Sequence, residues 1–458
     1  MQTNILSFLL FAIIASIVIR LLPHRFKKYG LLCFNILFYL LCDIRYIALM
    51  LFSIVWSFCI GRKLGSQTSH TTRRILLWVG IIPVLLTLCF FKYYNFFITD
   101  EGHALTILMP LGISYYIFKI ISFLADAYRG KSDLAVSFVN YSIYISLFPQ
   151  IICGPIARFE NLSEQIADLN SPSELQLSEG CFLIISGLFK KLVIADRLST
   201  YVNTIFTNSS AYPALALWMA AFYYTIQIYC DFAGYSEISI GITNLLGIKC
   251  HSNFNLPYFS YSIKDFWQRW HISLSTWLRD YVYIPLGGNR SGRMRKYLNT
   301  LITFLISGLW HGSGFHFVFW GLWHGLLNLL PSKRASRKWQ IVLQTFGTFV
   351  CVMFGWIFFR ADSLNSGFQY IGHMFSNITV NYQSIVATII PFTGDYSSLP
   401  YFLTIMLFIF LLFLLELQEF TSFSARTSKS KYIKHAIYLL SIILFGMIGQ
   451  NSFLYANF

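Results

Sequence analysis

Two tryptophan–histidine pairs, Trp270-His271 and Trp310-His311, carry the side chains of this sequence best suited to moving a proton. Imidazole is the side chain whose ordinary titration range spans neutral pH, so a neutral ring can accept a proton from a hydroxyl. His311 sits in Trp310-His311-Gly312-Ser313-Gly314, a polar break between the apolar runs 301–309 and 315–330. At membrane depth such a ring needs a polar partner or a water-lined cavity. The glycines beside it permit a tight turn and the close approach of a ligand. General-base chemistry on an incoming hydroxyl is one reading, and a packed polar core is the other. His271 lies within the run 266–280, flanked by Arg269, Ser273, Ser275 and Arg279. There it either lines a ligand entrance on the cytoplasmic side or satisfies its neighbours on an interfacial helix. His316 and His324 lack an acidic or cysteine cluster beside them, so no metal site is expected.

A third polar cluster is Gln227, Asp231 and Tyr235, spaced by four so that a helix aligns them in one stripe. A carboxylate in membrane surroundings is costly unless paired or hydrated, so Asp231 is expected to hold a network, orient a histidine or touch substrate. Asn244 and the segment Asn253-Phe254-Asn255-Leu256-Pro257 lead from there toward His271. Two further segments resemble cavity walls or ordinary packed helix ends: Pro110 to Lys119, and Phe148 to Arg158 with Pro149 and Pro155. Those prolines argue for a broken or re-entrant helix, tolerated where it faces protein rather than lipid.

The elements that must position these groups are membrane helices. Of the residues, 56% are hydrophobic and only 12% charged, about half the charged share of a soluble domain. The net charge of +15 would suggest a nucleic-acid partner in a soluble protein. Here the excess collects in short loops, so membrane topology accounts for it and nucleic acid is not expected. Arg20, Arg25, Lys27 and Lys28 follow the first apolar run and Arg62, Lys63, Arg73 and Arg74 the third, whereas Asp100 and Glu101 follow the fourth. That alternation puts the N-terminus outside and the basic loops in the cytoplasm. The first 20 residues read as a retained helix rather than a removed signal peptide. Nine scattered cysteines without a C-x-x-C pair read as small buried hydrophobes. About eleven to thirteen spans are expected, some short, tilted or re-entrant. Residues 248–296 are too charged to cross, and Phe266, Trp267, Trp270, Leu274, Trp277, Leu278 and Tyr281 are expected on one face of an interfacial amphipathic helix. No internal repeat of the kind seen in many transporters is evident.

Taken together, these motifs resemble the membrane-bound O-acyltransferase (MBOAT) family. They are Pro110-Leu-Gly-Ile-Ser114, Gly154-Pro155, the run Gln227 to Ser236, Phe266-Trp-Gln-Arg-Trp-His-Ile-Ser-Leu-Ser275, Trp277-Leu-Arg-Asp280 and Leu309-Trp-His-Gly312. The resemblance is strongest over 105–360. It points to the bacterial branch of alginate O-acetylation and teichoic acid D-alanylation membrane proteins, and Tyr283 to Arg290 resembles the acetylation side more.

The resemblance implies an all-α polytopic membrane protein, residues 1–458 forming one integral acyltransferase domain. Its helices would form a ring, with re-entrant and amphipathic helices around a central tunnel, in the bacterial inner membrane. It also implies that His311 is the base, or the organiser of the acceptor, and His271 a second catalytic histidine. Acetyl-CoA is expected as the donor substrate, arriving from the cytoplasm, with no tightly bound cofactor. An extracytoplasmic SGNH-type transferase is expected to complete delivery to a polysaccharide. Donor and substrate contacts are expected from Arg269, Arg279, Asp231, Gln227, Tyr235, Ser273, Trp310 and Asn255, with Arg290, Arg293 and Lys296 adding positive charge for phosphates. D-alanyl transfer from a carrier-protein thioester, and solute transport without covalent chemistry, are the alternatives that the residues leave open.

Overall fold

The computed structural model describes residues 5–97, 108–131, 136–290, 292–376, 378, 381–389, 398–421 and 428–447, and among these the chain is helical with no strand. Two compact units are formed, one from 1–184, 236–252 and 455–458, the other from 185–235 and 253–454.

The first unit contains α1 (Ile5–Leu21), α2 (His24–Asp43), α3 (Ile47–Ser66), α4 (His70–Phe97), α5 (Ile113–Tyr128), α6 (Phe138–Ser146), α7 (Phe148–Ile151), α8 (Phe159–Ala167) and most of α9 (Glu174–Leu188). On α4, Ile75, Trp78, Ile82 and Leu86 are exposed, an apolar surface that suits lipid and not water. In α5 almost every residue is buried, and Gly112 before it is left-handed at φ 67°. A Cβ there would lie 2.2 Å from the Ile151 carbonyl oxygen, so glycine lets α7 approach the start of α5.

The expected break near Pro149 falls at Leu147, between α6 and α7. Lys119 Nζ donates to the Tyr144 carbonyl at 2.9 Å and to Gln150 Oε1 at 3.1 Å, and Phe148 N donates to Asn35 Oδ1 at 3.0 Å. The bonds to the Tyr144 carbonyl and from the Phe148 amide satisfy backbone groups that the break deprives of a helical partner, which is what apolar surroundings demand.

The second unit continues from α9 through a π-helical segment (Phe189–Ala195) into α10 (Asp196–Thr207) and the first two-thirds of α11 (Ala214–Leu245). It then holds α12 (Ile263–Arg269), α13 (Ile272–Leu278), α14 (Gly292–His311), α15 (Phe315–Asn328), α16 (Lys338–Arg360), α17 (Leu364–Ser376), α18 (Tyr382–Ile389), α19 (Ser398–Thr421) and α20 (Ser428–Phe445). The single amphipathic helix expected over 266–281 is instead two short helices, kinked at His271 and followed by a π-helical turn at Arg279–Tyr283. Neither α17 nor α18 was anticipated, because each is too short and too polar to read as a span.

Among the described residues, four helical stretches are long and apolar enough to cross a bilayer: His24–Ser66, His70–Tyr94, Lys338–Arg360 and Leu399–Phe420. The other expected spans correspond to helices that are shorter or interrupted by polar groups, and the C-terminal aromatics Phe453, Tyr455 and Phe458 lie outside the described residues.

Helices α14 and α15 form the hairpin that carries His311. A Cβ on Gly308 would lie 2.3 Å from the Phe317 carbonyl oxygen, and one on Gly321 would lie 2.4 Å from that of Phe304. Two glycines facing opposite backbones bring the helices into main-chain contact, a packing mode favoured where lipid supplies no hydrophobic drive.

Candidate active site

His311 is the last residue of α14 and is buried, with Nδ1 2.7 Å from the carbonyl oxygen of Ser307 one turn earlier. A carbonyl only accepts, so in this contact Nδ1 is the donor. In a neutral ring that leaves Nε2 as the proton-accepting nitrogen, the tautomer a general base requires. The ring is held edge-on by Trp310 at 4.7 Å and Trp320 at 4.8 Å, with Phe359 at 5.4 Å between centroids.

His271 reaches the same cluster from the kink between α12 and α13. Its backbone is left-handed at φ 41°, one of two non-glycine residues with positive φ among those described. Such conformations cost roughly 1–3 kcal/mol and persist where surrounding bonds enforce them. Asn253 and Asn255 supply those bonds. Ile272 N donates to the Asn253 carbonyl at 2.9 Å, Ser273 N donates to Asn253 Oδ1 at 3.3 Å, and Asn255 N donates to the Arg269 carbonyl at 2.9 Å. The His271 ring meets Phe232 at 4.6 Å and Trp310 at 6.3 Å, so Trp310 touches both histidines. Burial, and secondarily the electrostatic interaction with the neighbouring His311, push the His271 pKa well below the usual histidine value. His271 is therefore neutral at physiological pH.

A third buried histidine, His324, lies 5.1 Å from Trp320 and 5.2 Å from Trp267. The sequence considered it only as a metal ligand. Its α-helical spacing from Trp320 on a face packed against α12 is the signal that marks it as part of this cluster.

A cleft of about 920 Å³ opens beside the cluster. Its α14 wall runs from Lys296 through Thr300 and Phe304 to Ser307, a rise of roughly 16 Å for that many residues. Lys264 and Arg279 line it too, as does Trp267, which packs on His324. One end is thus cationic, and the other ends at the residue whose carbonyl binds His311. Arg279 is also paired with Asp280 at 2.8 Å.

Of the remaining expected residues, Arg269 turns away from this cleft. Its Nε pairs with Asp265 at 2.9 Å and its Nη1 donates to the Asn255 carbonyl at 3.3 Å, so it braces the His271 kink. Asn255 serves through its backbone and Ser273 through its amide at the start of α13. Arg290 and Arg293 do not line the cleft. Gln227, Asp231 and Tyr235 are buried on α11. Asp231 accepts from Lys191 Nζ at 2.7 Å, and the same ammonium pairs with Asp196 at 2.9 Å. Phe232 is the α11 residue that meets His271 directly, a contact the polar stripe did not advertise. Among the described residues no group of three or more His, Cys, Asp or Glu is placed to hold a metal ion.

The sequence profile of MBOAT, the membrane-bound O-acyltransferase family, matches residues 75–361. The chain belongs to this family. Probable alginate O-acetylase of Pseudomonas putida is 36% identical over 398 residues, covering 82% of this chain and 80% of the relative. Peptidoglycan O-acetyltransferase of Helicobacter pylori is 33% identical, covering 76% and 74%. Teichoic acid D-alanyltransferase of Bacillus subtilis is more distant at 28%, covering 78% and 97%. The chain is thus a multi-pass membrane O-acyltransferase, nearer to the O-acetylating members than to the D-alanylating ones. Both Trp-His pairs, the cleft and the α14–α15 hairpin fall inside the MBOAT match.

Proposed function

We propose that this MBOAT protein takes acetyl groups from cytoplasmic acetyl-CoA and passes them across the inner membrane toward hydroxyls of an extracytoplasmic polysaccharide. A separate extracytoplasmic transferase of the SGNH type completes delivery. The observation that carries the reading is the cleft whose wall begins at Lys296 and ends at Ser307, the residue bonded to His311. Lys264, Arg279 and Lys296 suit the phosphates of the nucleotide end, and the wall along α14 suits an extended thioester arm.

In the proposed reaction, His311 Nε2 removes the proton of the acceptor hydroxyl as its oxygen attacks the thioester carbonyl. The C–S bond breaks, the new ester forms, and the proton passes from His311 to the leaving thiolate as the thiol departs. The Ser307 carbonyl holds the ring in the required tautomer and stabilises the imidazolium through the Nδ1 proton. His271, neutral and packed against the same indole, guides the donor on the cytoplasmic side. No serine need carry the acyl group, and Ser273 is engaged at the helix start instead.

The test is release of coenzyme A from acetyl-CoA by purified protein supplied with its partner transferase. Acetyl-dependent release that vanishes in His311→Ala supports the reading, while unchanged release by a folded His311→Ala protein removes His311 as the base. Activity confined to a D-alanyl carrier-protein thioester would replace acetyl-CoA as donor, the reading that the Bacillus relative's name keeps in play.

A further inference from the structure

The second unit holds another pocket at the far end of α16. Residues 333–335 are tied to the first turns of α16, because Gln344 Nε2 donates to the Lys333 carbonyl and Ala335 N donates to Gln344 Oε1, each at 3.0 Å. Ser332, next to that loop, lines the cationic cleft. The helix then runs 23 residues to Arg360, about 34 Å, enough to cross a bilayer core. Lys333, Arg334, Arg337 and Lys338 mark its cytoplasmic end, so Arg360 emerges on the outer side. A polar pocket of about 500 Å³ lies there, between the end of α10 and the start of α17.

Its lining mixes donors with acceptors. Arg360 is fixed by donating Nη2 to Asn203 Oδ1 at 2.9 Å, and its guanidinium lies 5.7 Å from the Phe206 ring centroid. Phe206 in turn stacks on Tyr370 at 4.3 Å and 16°. Asp362 is 4.0 Å from Arg360 and its side chain is 93% exposed, a carboxylate presented to solvent. Ser209 Oγ and His373 Nδ1 are 3.2 Å apart, and the amides of Asn208 and Gln369 complete the wall. A pocket for an anion would offer donors alone. A carboxylate and the Gln369 amide oxygen beside a guanidinium instead match hydroxyls, which donate and accept at once, while Asn208 Oδ1 already accepts from Ser210. The volume is within the range of small-molecule sites. Phe359, the residue before Arg360, packs on His311, so the pocket wall and the packing of the proposed base are consecutive in the chain.

We propose that this pocket is a saccharide subsite on the outer face, holding one or two hydroxyl-rich sugar units next to the His311 cluster. Its role in acceptance of the acyl group rests on the acetyl-transfer reading, whereas sugar binding itself does not. The experiment uses full-length protein in lipid nanodiscs without acetyl-CoA, titrated with an N-acetylglucosamine tetramer and with a mannuronate tetramer by saturation-transfer NMR. The wild type and His311→Ala should both bind at least one of them saturably at millimolar concentration or below. Asp362→Asn and Gln369→Leu should each weaken that binding about tenfold, the loss of one well-placed polar contact. Thermal midpoints of both variants should match the wild type, because the altered groups are at the surface. Absence of saturable binding of either sugar to the wild type overturns the subsite, and so does equal binding by well-folded variants. Sugar binding without any acetyl-dependent release of coenzyme A would keep the subsite and overturn the acetyl-transfer reading.

Discussion

His311 Nδ1 and the carbonyl oxygen of Ser307 are 2.7 Å apart, one turn along the same helix. The bond fixes which nitrogen of the neutral ring carries the proton, and it attaches the proposed base to the wall of the cleft. His311→Ala should therefore lower acyl transfer roughly 10²- to 10⁴-fold while leaving acetyl-CoA affinity nearly unchanged. Steady-state kinetics with equal amounts of folded protein check this. A rise in KM without loss of kcat would place His311 in binding instead.

The cationic end of the cleft makes a separate prediction. Lys296→Ala and Arg279→Ala should each raise the KM for acetyl-CoA by about three- to tenfold, the modest value expected of exposed charges. The effect should shrink at high salt and be absent with acetyl-pantetheine, which lacks the nucleotide phosphates. Equal effects on both donors would assign the two residues to structure.

Gly308 predicts a mechanical coupling. An added Cβ in Gly308→Ala would meet the Phe317 carbonyl at 2.3 Å, so α14 must move off α15 and carry Ser307 and His311 with it. Overpacking of this kind costs about 1–3 kcal/mol. A lowered thermal midpoint with a larger loss in kcat than in donor affinity is the expected pattern. Gly347→Ala, inside α16 with no atom within 4 Å of the added Cβ, is the control and should lower neither the thermal midpoint nor kcat.

Lys191 lies between Asp231 and Asp196 in a buried site. Removing one member of such a set is strongly destabilising, about 3–5 kcal/mol, because the remaining charges lose their partner. Lys191→Met should unfold at markedly lower temperature, and Lys191→Met with Asp231→Asn should recover part of the loss. A Lys191→Met protein as stable as the wild type would overturn the structural role of this triad.

His271 gives a pH dependence. Its pKa is lowered in the folded state, so below about pH 6.5 the unfolded chain binds a proton that the folded site resists. Its contribution therefore lowers stability progressively as pH falls from 6.5 and vanishes above it. His271→Gln should flatten this acid-side slope, which thermal unfolding between pH 5 and pH 8 measures. A parallel slope in both proteins would mean that His271 ionises freely.

Much of the site was legible in the residues themselves. A histidine bracketed by tryptophan and glycine between two apolar runs is costly in lipid, and that cost singled out His311 before any helix was placed. The prolines at 149 and 155 similarly announced a broken helix, since their effect on the backbone is local. The kink at His271 was not legible. The apolar pattern from Phe266 to Tyr281 fits one helix, and the bonds that override it come from Asn253 and Asn255, which periodicity within the helix does not reveal. The pairing of Arg269 with Asp265 was likewise not legible, because a charge in the sequence says nothing about which partner takes it.

The sequence by itself determined that this is a helical membrane acyltransferase, and it singled out His311 and His271 as the candidates for its chemistry. Those conclusions follow from the cost of polar groups in lipid and from motifs local in the chain. Tertiary structure alone decided that Trp310 joins His271 to His311 and that Lys264 and Lys296 meet in one cleft. Each of these depends on distances between helices, and such distances are set by packing contacts such as Gly308 against Phe317 rather than by any pattern within a single helix.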